Sequence, residues 1–400
     1  MTPGARLATA ADILDLVLEG EPAGLTLTNW GRKNRFAGSR DRAAIRDIVF
    51  DCLRQKQSLA HAAGSETGRG LVLAYVAASG TPLDTIFDGA GYNPAPLNAV
   101  EQARFAGNAA PEPAPDPAPD PVRLNYPAFL DAELRRSLGA DFEAVLSAMT
   151  TRAPVDLRVN QRKARLPVAV AALKGDDIDV VPVADVPTAL RVTKNQRRIG
   201  NSVAYREGLV ELQDASSQAV ALFAGAAKGM RVLDYCAGGG GKALALHDAM
   251  GGTGTVVAHD IAQIRMNDLP KRAARAGARI TVAMPGHPAL MPESFDLVFV
   301  DAPCTGTGSW RRTPDAKWRM TQKDLDKALA AQATILRRAA DFVAPGGVLT
   351  YATCSMLASE NQDQITAFLA ETPEFRHDGA IFLTPLTTGD GFFAARLLRV

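Results

Sequence analysis

Cysteine is scarce in this chain: Cys52, Cys236, Cys304 and Cys354 are the four thiols in 400 residues, far apart and with no CxxC pair. That spacing argues against a zinc site and a secreted disulfide scaffold, and predicts a reducing, cytoplasmic compartment. No apolar run approaches the ~18–20 residues a membrane span needs, which excludes a membrane-spanning helix. The opening stretch MTPGARLATAADILDLVLEG lacks the basic start and continuous apolar core of a signal peptide. An excess of one charge is missing too, with 44 Lys+Arg against 43 Asp+Glu. The balance is uneven along the chain, however. Residues 1–107 are neutral (11 basic, 11 acidic), 152–213 hold 11 basic and 7 acidic, and 305–340 hold 8 and 3. The last two segments have the sign that phosphates attract, a sign equally common on a merely solvated face.

What is present is enough apolar residue, 47% of the chain, for two or three cores. The plainest boundary is AAPEPAPDPAPDP at 109–121. Prolines at every second position bar a helix or a central strand, so this is an extended linker. Before it, SRDRAAIRDIVFDCLR places Ile45, Ile48, Val49, Cys52 and Leu53 on one helical face, with Ser39 as N-cap. Residues 9–18 and 71–78 also read as helices, which predicts an all-α domain over 1–107. After a linker at 108–122, residues 123–212 read as a small α+β module. From 213 to 400, strand-like runs at 230–236, 255–260, 279–282, 295–301 and 347–354 alternate with helical stretches. This pattern predicts a parallel sheet covered on both faces, with GDGFFAARLLRV as an antiparallel closing strand.

Between the first strand and helix of that last domain stands LDYCAGGGGK, with Gly238, Gly239, Gly240 and Gly241 in a row. Glycine there permits a tight turn and close backbone approach to a ligand at a helix N-terminus. A nucleotide triphosphate loop is disfavoured, because Cys236 and Ala243 stand where Gly and Ser/Thr belong. A dinucleotide and S-adenosylmethionine both fit the turn, and Asp260 suits the ribose of either.

The two thiols at strand ends separate these readings. Asp301 and Cys304 follow the fourth strand and Cys354 ends the fifth, so both sulfurs open onto the ligand crevice of such a sheet. Cys52 and Cys236 read as small buried hydrophobes. Hydride transfer has no obvious use for a thiol pair. Methylation of a pyrimidine at carbon 5 does: thiolate attack at carbon 6 turns a poor nucleophile into a competent one. Ser359 and Gln362 have the spacing of a capping box just beyond Cys354.

The segments LRVN (157–160), LQDASSQ (212–218), LDYCAGGGGK (233–242), DAPCTGTGSWRRTPDAKW (301–318), YATCSMLASEN (351–361) and GDGFF (389–393) carry a family resemblance. The chain resembles the Sun/Nop family of RNA (cytosine-5) methyltransferases, and within it the 16S ribosomal RNA branch with a NusB-like N-terminal domain. The resemblance implies a class I, Rossmann-like methyltransferase domain with a seven-stranded, mostly parallel sheet, S-adenosylmethionine as cofactor and RNA as partner. Ribosomal RNA is favoured, with transfer RNA as the alternative. It implies Cys354 as nucleophile, Cys304 as the group that assists adduct resolution, and Asp301 as a contact to the target cytosine and the cofactor. Cys236, Ala237, Gly238 to Gly241 and Lys242 would wrap the methionine end, with Asp260 on the ribose. Arg158, Asn160 and Lys317 would contact RNA, as would basic residues in 191–198 and 311–319; Trp310 and Trp318 either stack on bases or lie buried.

Two departures from the family stand out. Gly238 and Gly239 replace its Ala-Pro pair, and MPGHPALMP (284–292) lacks the Asp that follows the third strand, leaving His287 as a substitute. The expected state is a cytoplasmic monomer without metal or membrane attachment. A nicotinamide oxidoreductase would leave both strand-end thiols idle, and a non-catalytic RNA-binding assembly factor would leave the cysteine pair unexplained.

Overall fold

A computed structural model describes residues 1–105 and 118–400. Most of the expected proline linker, residues 109–117, lies outside the described residues. The chain divides into two compact units. One comprises Met1–Arg152 with Trp310–Met320, the other Ala153–Ser309 with Thr321–Val400. The helical unit therefore takes in residues that the sequence reading assigned to the α+β module and to the catalytic domain.

The helical unit is built on α1 (Pro3–Leu18), α2 (Ala23–Lys33), α3 (Ser39–Arg54), α4 (Lys56–Ala63) and α5 (Gly68–Ala78). Thr2 caps α1 through the Ala5 N–H and Pro3 fills its first turn, where its missing N–H costs nothing. In α3 the side chains of Ile45, Val49, Cys52 and Leu53 are buried as their spacing predicts, and Ser39 lies one residue inside the helix, after Gly38. Burial and the neighbouring Asp51 push the Cys52 thiol up, consistent with a structural role.

Lys317 belongs to this unit and is almost wholly buried. Its ammonium donates to the carbonyls of Arg54 (3.1 Å) and Asn125 (2.6 Å) and sits over the Trp318 ring, 4.5 Å from its centre. The Trp318 indole in turn donates to Leu53 O at 2.6 Å, and Trp310 is 1% exposed. Burial, then Arg54 and Lys56, push the Lys317 pKa down to about 7. The unfolded chain, with a lysine near ~10.4, binds more protons than the folded one between those values. Stability should thus rise as pH climbs from about 7 towards 10 and level off outside that window. Lys317→Met should abolish the rise, read by denaturant unfolding at pH 7 and 9.5; an unaltered rise would refute the assignment.

The second unit opens with a four-stranded antiparallel sheet in the order β2-β3-β1-β4, made of β1 (Asp156–Val159), β2 (Asp179–Pro182), β3 (Ala189–Lys194) and β4 (Val210–Leu212). Leu157, Val159, Leu190, Val192 and Val210 bury one face against the helix Leu166–Gly175. A seven-stranded sheet follows, from β5 (Arg231–Asp234), β6 (Thr255–His259), β7 (Ile280–Ala283), β8 (Phe295–Asp301), β9 (Val343–Thr353), β10 (Phe375–Leu383) and β11 (Phe392–Arg399). Its order is β10-β11-β9-β8-β5-β6-β7, parallel from β9 through β7 and antiparallel at β10 and β11. This is the Rossmann-like arrangement expected, and it seats β8 between β5 and β9. The carboxyl ends of those three strands therefore meet. Among the described residues, no helix is long and apolar enough to cross a membrane.

Candidate active site

The candidate residues Asp260, Asp301, Cys304 and Cys354 sit at or just beyond the carboxyl ends of strands. After β5 the chain turns through Gly238 and Gly240, whose φ angles of 48° and 77° favour glycine. At Gly240 a Cβ would also lie 2.1 Å from the Leu269 side chain. Asp260, just past β6, accepts from Gly238 N at 3.1 Å and from Ala262 N at 3.0 Å. One carboxylate thus pins both the glycine turn and its own loop.

Cys304, three residues beyond β8, and Cys354, one beyond β9, bring their sulfurs to 3.4 Å. Hydrogen bonds from three backbone N–H groups set this approach. Gly308 N donates to Cys354 O (2.9 Å), Met356 N to Thr307 Oγ1 (2.8 Å) and Gly391 N to Gly308 O (2.9 Å). Gly308 meets Gly391 so closely that a Cβ on it would lie 2.0 Å from the Gly391 carbonyl oxygen. Gly308→Ala should accordingly cost roughly 1–3 kcal/mol through overpacking. Turnover should fall by a larger factor than cofactor affinity; a melting curve and turnover like the native chain's would count against this packing.

Beneath both cysteine loops lies Glu360, fully buried. Its carboxylate accepts from Thr305 N (2.8 Å), Gln332 Nε2 (2.9 Å) and the hydroxyls of Thr305 and Ser355. Asn361 accepts from Thr353 Oγ1 at 2.6 Å and donates to Ser355 O at 3.0 Å. The Ser359–Gln362 capping box expected from sequence is replaced by this arrangement. The helix begins at Gln362, and the Asn361 amide before it bonds back into the cysteine loop without capping it.

Lys242 links two carboxyl groups, Asp301 and Asp234, to Cys354. Lys242 donates to Asp301 Oδ2 at 2.6 Å. Burial opposes the lysine's charge, yet Asp301, Cys354 and Asp234 outweigh it and the pKa is raised, so the ammonium persists beside Cys354. Asp234, fully buried at the end of β5, is pushed up to about 7, by burial first and then by Asp301. The Cys304 thiol is raised well above its ordinary value, by its hydrogen bond to Cys354 and then by burial. The two sulfurs share one hydrogen bond, in which either can donate. Cys236 is likewise raised by burial and nearby carboxylates, which leaves it a neutral wall residue.

A cavity of about 340 Å³ opens beside Asp260, lined by Tyr235, Cys236, Ile261, Pro285, Ile335 and Pro303 among others. An adenosine suits it: apolar walls for a base and a carboxylate for ribose hydroxyls. Pro303 joins the cavity to the Cys304 loop. His287 is absent from the lining, since its Nδ1 accepts from Ala289 N in its own turn.

The three residues expected on RNA are instead buried. Arg158 donates to Gln213 (2.7 Å) and pairs with Asp248 (3.1 Å), while Asn160 holds the Gly208 and Ala276 carbonyls. Lys317 is packed as described above. Polar residues in a motif proved to be internal fasteners, and Arg191, Lys194 and Arg198 likewise meet Asp156 or Asp177. Sequence reasoning gave no role to Glu360, Asn361, Gln332 or Thr305. A Glu-Asn pair shortly after a strand-end cysteine was the available signal.

Comparison with known proteins bears on this site. A family model described as 16S rRNA methyltransferase RsmB/F matches residues 223–398, and a ferredoxin-like domain of RsmF/B-like methyltransferases matches 126–197. Ribosomal RNA small subunit methyltransferase B of Salmonella typhi is 32% identical over 290 residues, 70% of this chain and 67% of that one. The protein of that name from Citrobacter koseri matches to the same extent. In fold, the chain is similar over 99% of both chains to the crystal structure of PH0851 (TM-score 0.74, 22% identity). It is also similar to NSun6 from Pyrococcus horikoshii, solved with SFG, over 68% of this chain and 98% of that one (TM-score 0.60, 15% identity).

Proposed function

We propose that this chain, which belongs to the RsmB/F family of S-adenosylmethionine-dependent 16S rRNA methyltransferases, methylates carbon 5 of a cytosine in ribosomal RNA through a covalent adduct on Cys354. The observation that carries this reading is the 3.4 Å sulfur pair at the ends of β8 and β9, next to a cavity suited to an adenosine.

The cofactor, held by residues 236–242 and Asp260 with Asp301 nearby, supplies an electrophilic methyl group. The chain's own residues make carbon 5 able to take it. The Cys354 sulfur adds as a thiolate to carbon 6 of the cytosine. Asp301, a third exposed and fixed by Lys242, orients the base. Elimination then passes the carbon-5 proton to solvent water and returns the carbon 6–sulfur bonding pair to Cys354 as its thiolate. Cys304, which keeps its proton, donates S–H to the departing sulfur. The target base must be unpaired or flipped to reach both groups.

Residues 1–107 are read as NusB-like, the domain divisions as 1–107, 108–122, 123–212 and 213–400, and the compartment as the cytoplasm. Nucleoside analysis of 16S rRNA and bulk transfer RNA transcripts, incubated with the protein and S-adenosylmethionine, tests the reaction. 5-Methylcytidine in the ribosomal transcript is expected; methylation of any other atom would overturn the proposal.

A further inference from the structure

The helical unit carries a second cavity, of about 620 Å³, lined by Thr2, Thr9, Asp12, Phe36 and Tyr92 among others. Phe36 is 73% and Tyr92 85% exposed, the two largest values among the aromatic rings in the described residues. Exposing two rings costs hydrophobic free energy unless a ligand covers them. Here both face one space.

Neither ring hangs on a loose loop. Asp88 Oδ1 accepts from Ala90 N and Asn93 Nδ2, both at 2.9 Å, closing the turn that holds Tyr92. Asn93 packs on Gly4 of α1, where a Cβ would stand 2.1 Å from the Asn93 Oδ1. Phe36 sits in the short turn between α2 and α3, whose Ala37 O accepts from Arg42 Nε at 2.8 Å.

The charge around Phe36 points to the ligand class. Residues 32–42, RKNRFAGSRDR, hold five basic groups and one acid, although residues 1–107 are neutral. The acid, Asp41, is taken by Arg6 at 2.8 Å. Arg32, Lys33, Arg35 and Arg40 are exposed and pair with no carboxylate among the described residues. Cations without a carboxylate partner in the segment that carries Phe36, together with two exposed rings lining one cavity, are the chemistry of single-stranded nucleic acid binding. The cavity itself holds Asp12, which repels phosphate and accepts from an exocyclic amine.

We propose that this cavity binds an unpaired, amine-bearing nucleobase of the RNA substrate between Phe36 and Tyr92. Arg32, Lys33, Arg35 and Arg40 hold the flanking phosphates. The inference rests on RNA being the substrate and adds a second point of attachment, distinct from the cytosine at Cys354.

The test uses the full chain with the ribosomal transcript. Phe36→Ala and Tyr92→Ala should each raise the RNA KM roughly 5- to 100-fold, the effect of losing one stacked base, with kcat unchanged. Arg35→Glu with Arg40→Glu should raise KM and flatten its salt dependence by about 0.7 in log–log slope for each lost phosphate contact on a single strand. Ultraviolet crosslinking of the native chain should attach RNA to the peptide containing Phe36 or Tyr92. If the native chain methylates RNA while all variants keep its KM and salt slope, and no crosslink maps there, the proposal is overturned. An acidic peptide competing for the loop with RNA binding unaffected would overturn it as well. A native chain that methylates no RNA defeats the reading of function itself.

Discussion

Cys354→Ala is expected to lose at least ~10⁴-fold in methyl transfer, because removing a covalent nucleophile leaves only binding and orientation. Cofactor affinity should stay within about twofold of the native value. The cavity beside Asp260 is walled by Tyr235, Cys236, Ile261 and Pro285, and Cys354 is not among its lining residues. Calorimetric titration with S-adenosylmethionine alongside turnover separates the two quantities. Parallel loss of both would mean that Cys354 shapes the pocket. Retention of a hundredth or more of the activity would mean that it is not the nucleophile.

Glu360→Ala is expected to be nearly as damaging, for a different reason. Its carboxylate collects donors from Thr305, Ser355 and Gln332. Removing it takes an acceptor from each of these groups, of which Gln332 keeps Pro303 O and Ser355 keeps Thr307 Oγ1, at ~1–3 kcal/mol for each group left unsatisfied. Their coupling brings the total to ~3–5 kcal/mol, in the range for breaking a buried charged network. Thr305 and Ser355 each neighbour one of the paired cysteines, so the sulfurs lose their setting, and a shift of ~1 Å costs about 10²-fold in rate. Glu360→Gln keeps the shape and two acceptor sites, so its losses should fall between those of native and Ala. Denaturant unfolding together with kcat checks both; an Ala variant as stable as the native chain would remove Glu360 from this role.

The catalytic sheet was legible because its strands are continuous apolar runs ending in chemistry: VLDYC, VFVDAPC and YATC each announce a strand and then a functional group. β10 was missed, since exposed and half-buried residues dominate FRHDGAIFL after its first position and no continuous apolar run marks it. Helices α2 and α4 were missed for a related cause: AGLTLTNWGRK and KQSLAHAA bury only a few positions each. The cysteine pair could be placed from strand ends alone. Which polar motif residues touch a ligand could not, because Arg158, Asn160 and Lys317 satisfy partners distant in sequence. Their partners Asp248, Ala276 and Asn125 are identifiable only once the chain is folded. The second cavity escaped for the same reason, as Phe36 and Tyr92 stand 56 positions apart in sequence.

The central claim, covalent catalysis by Cys354 with Cys304 assisting its release, is tested most directly by a denaturing gel. Cys304→Ala, incubated with S-adenosylmethionine and labelled ribosomal transcript, should show a protein–RNA band that survives denaturant. The band should vanish in the Cys304→Ala, Cys354→Ala double variant. A band that persists without Cys354, or methylation by Cys304→Ala at the native rate with no band, would contradict the account.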